Sequence, residues 1–95
     1  MTAPIETARL RITGYVQGVG YRFWMTRTAV SLGLRGWVRN RSDGAVEALV
    51  AGSEEAVAAM LAACRRGPAA ARVAAVEIGD GEEDGSIGFT ARPTE

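Results

Sequence analysis

Histidine is absent from the 95 residues, and cysteine occurs once, at Cys64. The first absence excludes Ser-His and Cys-His nucleophilic pairs and every zinc site built on imidazole. The second excludes an intrachain disulfide. Any chemistry here proceeds without imidazole, which favours a reaction whose leaving group departs without a general acid. Charge of one sign is not in excess either: eleven basic residues face eleven acidic ones, and no basic run is longer than Arg65-Arg66. Broad attraction to nucleic acid or an anionic membrane is therefore not expected. No apolar stretch is long enough to cross a bilayer, and a start carrying Glu6 and Arg9 lacks the pattern of a secretory leader, so a cytoplasmic setting is expected.

The composition is that of a globular chain, 47% hydrophobic and 23% charged, of a length that suits one domain with one core. Met1 to Glu6 reads as a loose terminus. Arg9 to Thr13 alternates polar and apolar residues as a strand with Leu10 and Ile12 facing inward. Tyr21, Met25, Ala29 and Leu32 then mark one face of a helix that Gly33 stops. Leu34–Asn40 and Ala45–Ala51 read as two strands joined at Asp43-Gly44, a hairpin signature. Ser53 stands as the N-cap of a second helix with the stripe Val57, Met60, Leu61 and Cys64, closed by Gly67-Pro68. Arg72–Ile78 gives a fourth strand, and Ile87, Phe89 and Ala91 alternate in a short last one.

The order β-α-β-β-α-β predicts an α+β, ferredoxin-like split β-α-β sandwich, with two helices on one face of an antiparallel sheet. Right-handed crossovers give the strand order 4-1-3-2, plus a short fifth edge strand on a side the pattern leaves open. In that order strands one and two run parallel and end at the same side of the sheet.

The stretch from Gly14 to Arg22 leaves the first strand and enters the first helix. Its glycines, Gly14, Gly18 and Gly20, free the backbone to turn several N–H groups toward one point. The helix adds unpaired N–H groups and the positive end of its dipole. Arg22 supplies a planar, permanently charged fork. Together they read as a cradle for a phosphate-sized anion. Taken singly, each part has a plainer reading: a tight connection, a solvated arginine at a helix start, and a turn residue at Asn40. Arg22 is opposed by the helix dipole, which argues for an anionic partner. No Gly-Lys-Ser/Thr of a Walker A loop follows, and Phe23 stands where a dinucleotide fingerprint needs its third glycine.

Gly14-Tyr15-Val16-Gln17-Gly18-Val19-Gly20-Tyr21-Arg22, together with Gly36-Trp37-Val38-Arg39-Asn40 and Asp43-Gly44, closely resembles the acylphosphatases over nearly the whole chain, 1–95. The resemblance implies hydrolysis of the carboxyl-phosphate anhydride of a small-molecule acyl phosphate, with no metal, cofactor or covalent intermediate. Inorganic phosphate is then expected as product and competitive inhibitor, and a monomer is expected as the working unit. By the same resemblance Arg22 and Asn40 are catalytic, Arg22 binding phosphate and Asn40 positioning water. Loop residues Tyr15, Val16, Gln17, Gly18, Val19, Gly20 and Tyr21 are the remaining candidates for phosphate binding. Tyr15 stands where the family often carries a basic or polar residue. Arg41 follows Asn40 where small hydroxyl residues are also seen, which leaves open what orients the Asn40 amide.

Two other classes share this topology. A non-catalytic anion-binding or regulatory module would bind phosphate without turnover. An RNA-binding sheet would need paired aromatics on the central strands, and strand three has none. The Val-Gln-Gly-Val-Gly loop is also similar to the acylphosphatase-like part of a larger carbamoyl-phosphate-using maturation protein. Cys64, Trp37 and Tyr21 read as packing residues, Trp24 as a packing residue that can border the site, and Glu82-Glu83-Asp84 as a solvated loop.

Overall fold

In the computed structural model, residues 5–95 are described. Seven elements follow one another: β1 (Ile5–Tyr15), α1 (Tyr21–Ser31), β2 (Arg35–Asn40), β3 (Val46–Ser53), α2 (Glu54–Cys64), β4 (Arg72–Asp80) and β5 (Phe89–Arg92). They form one five-stranded sheet in the order β4-β1-β3-β2-β5. The 4-1-3-2 arrangement expected from the crossovers is therefore present, and the last strand extends the β2 edge. β5 runs parallel to β2, with Gly36 opposite Phe89 and Val38 opposite Ala91, so the sheet is mixed rather than purely antiparallel. On this edge the Phe89 ring is buried against the core.

Period-two alternation sorts the two faces. Leu10 lies opposite Ala48 and Ile78, and Ile12 opposite Val46 and Val76. Val38 lies opposite Ala48 and Asn40 opposite Val46. This row faces the helices, where Leu10, Ile12, Val38, Val46 and Val50 are fully buried with Met25, Val57 and Met60. Each such side chain contributes about 1.5–3 kcal/mol by leaving water. The opposite face carries Arg9, Arg11, Arg39 and Glu47 around Trp37, whose ring lies within 5.7 Å of the Arg9, Arg39 and Arg92 guanidiniums. β1 begins at Ile5, paired with Ser53, so Ile5 and Glu6 are strand rather than loose terminus; the first four residues of that expectation lie outside the described range.

The two helices begin differently. At α2 the Ser53 Oγ accepts the Ala56 N–H at 3.1 Å, and Glu54 and Glu55 occupy the first turn. That is a complete N-terminus, with a cap worth about 1 kcal/mol. α1 starts from Gly20 in the left-handed region, with no side-chain cap and no acid in its first turn. The first N–H groups of α1 are thus left without a side-chain acceptor.

Tyr21 ties the two helices together. Its ring is buried and its hydroxyl donates to the Cys64 carbonyl at 2.6 Å, an acceptor at the end of α2 that the helix itself leaves unpaired. Tyr21→Phe is expected to cost about 1–3 kcal/mol, the loss for a buried acceptor left without a donor. The denaturant midpoint measures it, and an unchanged midpoint would contradict the role. Burial pushes the Cys64 thiol up to about 11, so this buried residue packs as a small apolar group and is not a thiolate near neutral pH. No helix of the described residues is long and apolar enough to cross a membrane.

Candidate active site

β1 and β2 are both antiparallel to β3, so they run parallel and their carboxyl ends lie together. The loop 16–20 leaves one end and Asn40 closes the other. Between them opens a cleft of about 440 Å³, lined by Val16, Gln17, Gly18, Gly20, Arg22 and Asn40, with Tyr21 at its base. Phe23 and Thr26 from α1 and Ala91 from β5 complete the wall.

Gly18 and Gly20 hold φ values of 74° and 79°. A side chain at either position would be strained, and both glycines line the cleft, where a left-handed backbone suits an anion-binding turn. From Val16 to Phe23, no backbone N–H meets an acceptor among the described residues; the first bonded amide is Trp24, which reaches the Gly20 carbonyl at 2.9 Å. These donors, the uncapped start of α1 and the Arg22 guanidinium make an electropositive concavity without any acid to neutralise it.

Gly14, counted in the sequence as part of this cradle, sits elsewhere. It lies within β1 at an irregularity in the pairing with β4, where a Cβ would collide with the Arg72 carbonyl. Its freedom serves the close approach of two strands. Tyr15 ends β1 with an exposed side chain, and Val19 packs against the core; neither side chain lines the cleft. Trp24 is also outside it, turned edge-on to Tyr21 at 5.2 Å.

Arg22 is half-buried and its Nη1 donates to the Arg92 carbonyl at 3.3 Å. The last strand therefore supports the arginine, a contribution the sequence did not reveal. The signal available was the alternation ending in Ala91, but its position depended on the edge β5 takes. Asn40 is half-buried, and its side-chain amide makes no hydrogen bond to another described residue. Its backbone carbonyl accepts the Glu95 N–H at 3.0 Å, and the Ser42 N–H donates to the Glu95 carbonyl at 3.1 Å.

The hairpin that follows Asn40 is fixed from several sides. The Arg41 N–H donates to the Ala45 carbonyl at 2.8 Å and the Ala45 N–H to the Asp43 carboxylate at 3.0 Å. That amide first, and the Arg11 guanidinium at 2.6 Å second, hold the Asp43 carboxyl below its ordinary range. Gln17 also contributes: its Nε2 donates to the carbonyls of Arg41 at 2.8 Å and Ala45 at 2.9 Å.

The acidic loop is more engaged than a solvated turn. Glu83 pairs with Arg35, and Asp84 accepts the Trp37 indole N–H at 3.0 Å and lies 3.7 Å from Arg92. Among the described residues no three of His, Cys, Asp or Glu gather as a metal site.

The chain is similar to known proteins in sequence and in fold. The family model described as Acylphosphatase matches residues 8–91. A curated protein named Acylphosphatase from Rhodopseudomonas palustris is 62% identical over 68 residues, 72% of this chain and 69% of that one. Another of that name, from Rhodospirillum rubrum, is 51% identical over 90 residues, 95% and 99% of the two chains. The crystal structure of acylphosphatase from Bacillus subtilis is similar with a TM-score of 0.88 at 31% identity, over 94% of this chain and 99% of that one.

Proposed function

The chain belongs to the acylphosphatase family, enzymes that hydrolyse acyl phosphates, and on that premise we propose that the backbone N–H groups of residues 16–23 and the Arg22 guanidinium hold the phosphoryl group while Asn40 holds the attacking water. The observation that supports this most is the run of N–H groups without an acceptor among the described residues, in a loop that lines one cleft with Arg22 and Asn40.

Transfer of a phosphoryl group spreads charge over its equatorial oxygens, so positioning and fixed donors supply most of the catalysis. The loop amides and the guanidinium bind those oxygens by charge-assisted hydrogen bonds. The Asn40 Oδ1 accepts a hydrogen bond from water and aims its oxygen at phosphorus, in line with the bridging oxygen. The new P–O bond forms as the old one breaks, and the electron pair leaves on the carboxylate. That carboxylate is a weak base and needs no proton. Asn40 is a poor base, so both protons of the water end on phosphate, giving carboxylate and monobasic phosphate from an acyl phosphate dianion and water.

The product's shape matches the cradle, which makes inorganic phosphate a competitive inhibitor. Every group invoked comes from one chain, so a monomer suffices. We assign the reaction to the cytoplasm; a single buried cysteine fits a reducing compartment.

The test is hydrolysis of benzoyl phosphate in the presence of EDTA, with a phosphate inhibition series. Turnover insensitive to chelator and competitive inhibition are expected. Tight phosphate binding without turnover would favour an anion-binding regulatory module instead.

A further inference from the structure

Gln17 has two roles within one residue. Its backbone N–H belongs to the cradle, whereas its half-buried side chain points away to the hairpin beyond Asn40. Both hydrogens of the amide nitrogen are used there, one on the carbonyl of Arg41 and one on that of Ala45. Arg41 follows Asn40 directly, and Ala45 precedes Val46, the residue opposite Asn40 across the ladder. The hairpin already joins these two positions through the Arg41 N–H and the Ala45 carbonyl. The Gln17 amide therefore spans the mouth of the hairpin and ties it to the phosphate loop.

We propose that Gln17 is a positioning residue, whose side chain sets the separation and angle between the phosphate cradle and the water-holding Asn40. This rests on the function proposed above. Two neutral hydrogen bonds contribute modestly to stability. Geometry between nucleophile and phosphorus weighs far more, since a misplacement of about 1 Å costs about 10²-fold in rate. Both amide hydrogens are spent on carbonyls beside Asn40 and its ladder partner, so the loss of the side chain is expected to act on turnover through Asn40 and to leave phosphate affinity nearly unchanged.

The test is Gln17→Met, similar in length and without donors, made in the parent and in Asn40→Ala. Against the parent, kcat for benzoyl phosphate falls about 10- to 100-fold while the phosphate inhibition constant stays within about two-fold. In the Asn40→Ala background the same change costs less than about two-fold, because the group it positions is gone. An equal loss in both backgrounds, a parallel rise in the inhibition constant, or an unchanged kcat would each overturn the role. If Gln17→Met does not fold, Gln17→Asn replaces it; its shorter stem keeps the donors but not the reach, and the same two readouts apply. An inactive parent would remove the proposed function and this inference with it, whereas an active parent with additive losses removes only the inference.

Discussion

Arg22→Gln lowers kcat/KM for benzoyl phosphate by about 10³-fold, within the range for a transition-state arginine or a preorganised donor. The substitution removes the permanent charge and the fork but keeps an amide of similar reach. Competitive inhibition by phosphate weakens as well, by about 10-fold or more, because the guanidinium binds ground state and transition state alike. Stability follows the opposite sign. Arg22 stands in the first turn of α1, at the positive end of the helix dipole, with no acid beside it. Its removal relieves a repulsion of about 0.3–1 kcal/mol, so the melting temperature stays level or rises. Loss of activity together with loss of fold would indicate a structural arginine, and robust activity in the variant would remove Arg22 from the site.

Asn40→Ala separates binding from chemistry. The cradle is untouched, so the phosphate inhibition constant is expected to stay within about two-fold while kcat falls by about 10²–10³-fold, the effect of losing one preorganised polar group at the reacting centre. KM remains near the parent value, since the asparagine binds water and not the phosphoryl group. The fold should tolerate the change, because the Asn40 backbone keeps its place in β2 and its bond from Glu95. Parallel loss of turnover and phosphate affinity would mean that Asn40 holds the anion itself.

These two residues were legible in the sequence for reasons that differ. Arg22 was conspicuous because it contradicts the helix dipole, and a local conflict of that kind often marks a functional site. Asn40 alone looked like any residue before an Asp-Gly turn. It became a candidate only with the family motif and with strand order, since parallel β1 and β2 are what bring position 40 to the loop at 16–20. The central strands and both helices were readable because alternation at Leu10 and Ile12, and helical spacing at Val57, Met60 and Cys64, report burial directly.

What escaped the sequence depends on long-range placement. Gly14 looked like cradle because a glycine gives no sign of whether it turns the chain or admits a neighbouring strand. The support of Arg22 by the Arg92 carbonyl depends on a four-residue strand taking the β2 edge, where Phe89 is buried, and no local pattern reports that edge. The bond from Gln17 to Arg41 and Ala45 crosses 24 and 28 residues, a separation with no local pattern. The pairing of Glu83 with Arg35 and of Asp84 with Trp37 escaped for the same reason.

The central claim is that phosphate sits on the loop amides between β1 and α1, and backbone amide NMR during a phosphate titration in EDTA tests it residue by residue. The largest downfield shifts are expected at the amides of Gln17 through Phe23, saturating at the concentration that inhibits turnover. Small shifts there, with the largest changes at another basic position such as Arg65 and Arg66, would contradict the site.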